Sequence, residues 1–169
     1  RDFWGYALAA GDFNNDGRDD LAVCSSDEDI GGVNECGALN ILYGSNAGLS
    51  AAGNQFWHQN SPGIPGSNQE PDFFGNALAV GDFNGDNFDD IATGMRLKAV
   101  QGFIQAGAVI VMYGSNAGIA SAGSSLFHQN TPNMLDVAEQ GDFFGTALTA
   151  GDFDNDNRDD LAIGILLEN

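Results

Sequence analysis

Apolar residues in this chain fall in short runs, not in the stripes of an amphipathic helix. Val109, Ile110, Val111 and Met112 are consecutive within Ala108–Tyr113, and Ala38–Tyr43 holds the same place earlier in the chain. A sheet with one wet face alternates apolar and polar residues, so an unbroken run predicts a strand covered on both faces. Further strands are predicted over residues 4–10, with counterparts at 74–80 and 144–150, over Asp20–Ser25, and near 55–59. The first of these is rich in Gly and Ala, small side chains that suit a crowded axis.

These elements recur. Phe74-Gly75 returns as Phe144-Gly145, and Asp12, Asp82 and Asp152 each open an Asp-rich loop at a spacing of 70 residues. Gly44 to Gly48 returns unchanged at Gly114 to Gly118, and His58-Gln59-Asn60 returns at His128-Gln129-Asn130, so the register holds without insertion. Two copies, 1–71 and 72–141, are followed by a partial third, 142–169, giving about 2.4 repeats. A period this long, with turn signals throughout, predicts a small sheet per repeat. Sheets packed face to face around an axis cover both faces and remove open edges, so the predicted fold is an all-β propeller with four antiparallel strands per blade. A parallel β-helix is the alternative, but its rungs are shorter than this repeat.

Each Asp loop sets oxygen side chains at positions 1, 3, 5 and 9: Asp12, Asn14, Asp16 and Asp20, then Asp82, Asn84, Asp86 and Asp90, then Asp152, Asp154, Asp156 and Asp160. Position 7, which is Arg18, Phe88 or Arg158, can add a backbone carbonyl. Hard Ca²⁺ takes six to eight oxygens in a flexible cage, and a tightly coiled loop presents alternate side chains inward to supply them. Position 6 is Gly17, Asn87 or Asn157, residue types that tolerate the positive φ of a sharp bend. Three Ca²⁺ sites are therefore predicted. An EF-hand also needs a bidentate Glu at position 12, and here that position is Val23, Thr93 or Ile163. The flanks also read as strands.

Phe-Gly, the Asp loop, the Asp-Leu-Ala that follows it and the run Gly37 to Ser45 together resemble FG-GAP repeats, the blades of the integrin α-subunit propeller. The similarity extends to integrin-like repeat proteins of bacteria through Leu42 to Leu49, Phe56 to Gln59 and Ser61 to Gly63. The resemblance implies a seven-bladed ring with Ca²⁺ on one rim and recognition loops on the opposite face. It also implies that the twelve side chains and three carbonyls above are the metal ligands. The Gly-Ala-Pro tripeptide of the family is replaced by Cys24-Ser25-Ser26, Gly94-Met95-Arg96 and Gly164-Ile165-Leu166. About 2.4 repeats cannot close such a ring, so further blades are expected from a longer chain or from other copies. The chain opens on Arg1 without a charged-then-apolar leader, which fits an excerpt or a processed polypeptide.

Charge narrows the partners. Lys and Arg number 5 against 24 Asp and Glu, and a net charge of −19 opposes phosphate backbones and anionic lipid. Neither nucleic acid nor membrane insertion is expected. Cys24 and Cys36 flank one loop, and a disulfide across the hairpin mouth is predicted, implying an oxidising compartment. His58 and His128 recur and read as structural. Glu70, Asp72, Asp136 and Glu139 read as solvated acids, and no nucleophile–base pair or phosphate loop emerges, so no enzyme is expected. Trp4, Phe74 and Phe144 are expected in the core. Phe103, with Arg96 and Lys98, marks the candidate contact loop.

The predicted function is that of a Ca²⁺-binding, extracellular or cell-surface propeller segment, serving adhesion or recognition of a protein or glycan. An accessory module of a secreted hydrolase or lyase, or a lectin, is the alternative.

Overall fold

The computed structural model describes residues 2–167; Arg1 and the last two residues of the third repeat, Glu168 and Asn169, lie outside the described residues. Ten strands follow in chain order: β1 (Trp4–Gly11), β2 (Asp20–Ser25), β3 (Ala38–Tyr43), β4 (Ser50–Trp57), β5 (Leu78–Gly81), β6 (Asp90–Met95), β7 (Ala108–Tyr113), β8 (Ala120–Phe127), β9 (Ala147–Gly151) and β10 (Asp160–Gly164). They form two four-stranded antiparallel meanders, β1 to β4 and β5 to β8, and a β9–β10 pair. The innermost strands β1, β5 and β9 lie side by side. These are propeller blades. Among the described residues no helix is long and apolar enough to cross a membrane.

The unbroken run in β7 is covered on both faces, as its pattern requires. Ile110 and Met112 enter a core with Phe13, Leu39 and Ile41 of the first blade. Val109 and Val111 enter a second core with Phe144, Leu161 and Ile163 of the third. Fully burying such a side chain contributes about 1.5–3 kcal/mol, so the two cores hold the sheets in a stack.

Strand bounds differ from expectation where blades meet. Phe74 and Gly75 do not begin β5. The N–H of Phe74 donates to the carbonyl of Cys36 at 2.9 Å, and that of Phe144 to Ala106 at 2.8 Å. The Phe-Gly segment thus binds the loop of the preceding blade, and its own inner strand begins four residues after Phe74 and three after Phe144. Phe74 and Phe144 are buried by that docking, whereas Trp4, on whose segment no such loop docks among the described residues, is 60% exposed. The outer strand β4 starts at Ser50, earlier than the predicted 55–59, and His58 and Gln59 turn away at its end.

Candidate metal centres

Each Asp loop joins the inner strand of a blade to the next strand, so strand pairing fixes both of its ends. Asp20 faces Gly11 across β1–β2, Asp90 faces Gly81, and Asp160 faces Gly151. Between these ends the three loops repeat one hydrogen-bond pattern. The position 1 carboxylate accepts from the N–H groups of positions 5 and 6: Asp12 from Asp16 (3.0 Å) and Gly17 (2.7 Å), Asp82 from Asp86 (3.1 Å) and Asn87 (2.8 Å), Asp152 from Asp156 and Asn157 (both 3.1 Å). The Oδ1 atoms of Asn14, Asn84 and Asp154 accept from position 5 at 3.0, 2.8 and 3.1 Å. Asp16, Asp86 and Asp156 in turn accept from the N–H groups of Arg18, Phe88 and Arg158 at 3.0, 3.0 and 2.8 Å. Such side-chain-to-backbone turns coil the chain tightly.

Two left-handed residues per loop make that coil possible. Position 6 has φ of 83° at Gly17, 68° at Asn87 and 67° at Asn157, as the residue types predicted. Position 4 is also left-handed, with φ of 54° at Asn15, 79° at Gly85 and 64° at Asn155. The result is visible in the third loop, where one carboxylate oxygen each from Asp152, Asp154 and Asp156 lies within 4.8 Å of the others. This all-oxygen donor set suits a hard divalent cation.

Position 9 is placed differently. Asp160 does not join that trio. Asp20 accepts from the N–H groups of Phe13 (3.1 Å) and Gly44 (2.8 Å), and Asp90 from Phe83 and Gly114 (both 2.9 Å). Asp160 accepts from Phe153 at 3.0 Å. These carboxylates lace the loop to the strand ends while each oxygen keeps a further lone pair. Burial pushes Asp90 up to about 7, with Asp86 and Asp82 adding to the rise against the two N–H donors. A bound cation would oppose that rise.

Phe13, at position 2, plugs the core beneath the second blade, a role the sequence reading did not assign. The equivalent Phe83 packs in the second core, while Phe153 is 65% exposed. The sequence signal was the recurrence of Phe at all three positions.

Other expectations need correction. Cys24 and Cys36 are free, buried thiols and do not form the predicted disulfide. In the β2–β3 ladder Cys24 lies opposite Leu39, so Cys36 falls three residues short of it. Cys24 Sγ faces the Phe74 carbonyl at 3.8 Å, and Cys36 Sγ that of Glu28 at 3.4 Å. Asp72 is not solvated: it is buried and paired with Lys98, which is therefore not part of a surface patch. Arg96 stacks over the Phe73 ring at 5.1 Å, and the exposed part of that loop is residues 101–105, where Phe103 is 42% and Ile104 54% exposed. His58 and His128 are half-buried beyond the outer strands, and burial lowers the pKa of both.

Comparison with known proteins agrees with this anatomy. The chain is 32% identical over 160 residues to phosphatidylinositol-glycan-specific phospholipase D of Rattus norvegicus, an alignment covering 94% of this chain and 18% of that protein. It is 29% identical to integrin alpha-PS5 of Drosophila melanogaster over 165 residues, and to integrin alpha-5 of Xenopus laevis over 168, covering 96% of this chain in each case. Those alignments span 15% and 14% of the two integrin chains. The chain thus spans less than a fifth of the length of these curated relatives. The FG-GAP repeat profile matches residues 4–38, 74–112 and 144–167, more than half of the sequence and one stretch in each repeat. The chain belongs to the FG-GAP repeat family.

Proposed function

We propose that this chain is a calcium-stapled stretch of a propeller that acts in recognition outside the cell, with blades at 1–71, 72–141 and 142–169 of a seven-bladed ring. The observation that carries the reading is the coil shared by the three loops, in which the position 1 and position 3 oxygens meet on the position 5 N–H, together with the close approach of the Asp152, Asp154 and Asp156 carboxylates in the third. In each loop the ion would be held by those three side chains, the position 7 carbonyl of Arg18, Phe88 or Arg158, and the position 9 carboxylate. Its chemistry there is neutralisation of crowded acids and cross-linking of strand ends, with no catalysis. The exposed loops opposite the Asp rim are the surface for a protein or glycan, and the likeness to integrin α chains supports an extracellular or cell-surface place.

Thermal unfolding tests the calcium part. EGTA should lower the melting temperature, Ca²⁺ should restore it, and Mg²⁺, which demands a smaller and more regular cage, should restore it poorly. An unchanged melt after exhaustive chelation contradicts the proposal.

The match to phosphatidylinositol-glycan-specific phospholipase D favours a second reading, in which these blades accompany a catalytic domain elsewhere in a longer protein. The reading frame on either side of the segment separates the two: a hydrolase domain supports the second, further repeats with a surface anchor the first.

A further inference from the structure

The three loops are not independent. The backbone N–H of Asp12 donates to Asp89 Oδ2 at 2.7 Å, and the carbonyl of Asp12 accepts from the Asp89 N–H at 3.2 Å. At the next junction the N–H of Asp82 donates to Asp159 Oδ2 at 3.0 Å, and its carbonyl accepts from the Asp159 N–H at 2.9 Å. Both backbone groups of a position 1 residue are therefore clasped by the position 8 residue of the following blade. Room for the clasp exists only because a glycine precedes position 1. A Cβ on Gly11 would come to 2.7 Å from Asp89 Oδ2, and one on Gly81 to 2.6 Å from Asp159 Oδ2. That glycine stands before each loop, at 11, 81 and 151, and an Asp at position 8 of each, at 19, 89 and 159. The turn after β7 adds a second tie, since the Ser115 N–H donates to the Phe13 carbonyl at 3.2 Å.

We infer that Asp89 and Asp159 are positioning residues that set the first metal ligand of the preceding loop, so that occupancy of one loop favours occupancy of the loop before it. The inference rests on the calcium reading above. Asp89 lies between Phe88 and Asp90, positions 7 and 9 of its own loop, so an ion that stiffens the second loop stiffens the clasp on Asp12. By linkage, an ion in the first loop favours the second to the same degree. The coupling runs from blade to blade along the rim and depends on an acceptor at position 8.

Site-resolved titration of the 169-residue chain with Ca²⁺, followed by ¹H–¹⁵N NMR, tests this. The Gly17, Asn87 and Asn157 amides, which donate to Asp12, Asp82 and Asp152, report on loops one, two and three. Asp89→Ala should move the Gly17 midpoint to about tenfold higher Ca²⁺, the loss of one charge-assisted hydrogen bond, and leave the Asn157 midpoint in place. Asp89→Asn keeps an acceptor and should return the Gly17 midpoint to within about threefold of the parent. Asp159→Ala should do to Asn87 what Asp89→Ala does to Gly17. A merely structural role would lower stability in EGTA without a selective shift. If the parent amides ignore Ca²⁺, the calcium reading itself fails. If they respond but the variants leave all midpoints in place, or move them all together, the coupling is overturned. Should Asp89→Ala fail to fold, Asp89→Glu, which lengthens the reach, must move Gly17 selectively or the inference falls.

Discussion

Lys98 Nζ lies 2.9 Å from Asp72 Oδ2, and the two side chains are 6% and 1% exposed. Lys98 reaches back from the second blade to the crossover of the first, where its ammonium also donates to Gln59 Oε1 and to the Ser67 carbonyl, both at 2.7 Å. One cation thus ties Gln59 and Ser67 of the first repeat to Asp72 at the start of the second. Removing it while leaving Asp72 strands a buried carboxylate, a change that costs about 3–5 kcal/mol. Lys98→Met should lose that much in urea unfolding, and adding Asp72→Asn should recover part of it. Burial holds the Asp72 carboxyl above its ordinary range, opposed by Lys98 and the Gln69 N–H. A raised carboxyl contributes stability that is present at low pH and lost as pH rises through the folded pKa. The Lys98→Met deficit should therefore be smaller near pH 4 than at pH 8.

Blade junctions should be intolerant of added bulk. A Cβ at Gly37 would run into the Phe74 carbonyl oxygen, and one at Gly107 into that of Phe144, and both glycines have positive φ. Gly37→Ala or Gly107→Ala is expected to cost at least about 2 kcal/mol in chemical unfolding, from clash and backbone strain together. Gly31 also has positive φ, but nothing lies within 4 Å of its Cβ position. Gly31→Ala should cost only about 1–2 kcal/mol. Equal losses at the two kinds of site would place the strain in the backbone alone.

The thiols give a third expectation. Burial pushes Cys24 up to about 12 and raises Cys36 as well. A thiolate is the reactive form, so both should resist a disulfide reagent at pH 8 in the folded chain. Two groups should titrate in guanidinium. Zero groups under denaturing conditions would restore the disulfide.

How much of this was legible depends on whether a feature is local. Asp20–Ser25, Ala38–Tyr43 and Ala108–Tyr113 were bounded correctly from pattern alone, because each is a run closed by polar turns. The bends at Gly17, Asn87 and Asn157 were legible because residue type limits φ. What escaped lies across junctions. Phe74 belongs to the preceding blade's loop, Lys98 is drawn inward by Asp72, and Asp89 clasps Asp12 seventy-seven positions away. Such contacts leave no periodicity, only recurrence: a glycine before each loop and an Asp pair at its end.

The central claim is that three rim loops grip calcium, and counting ions tests it most directly. At extracellular-type affinities, each site adds only about 0.4–1.4 kcal/mol in millimolar Ca²⁺, so the count is more telling than the melt. Equilibrium dialysis of the chain against ⁴⁵Ca²⁺ should approach three ions per chain, falling by about one with Asp152→Ala. A plateau at zero in several millimolar Ca²⁺, or a count unchanged by that substitution, would contradict the account.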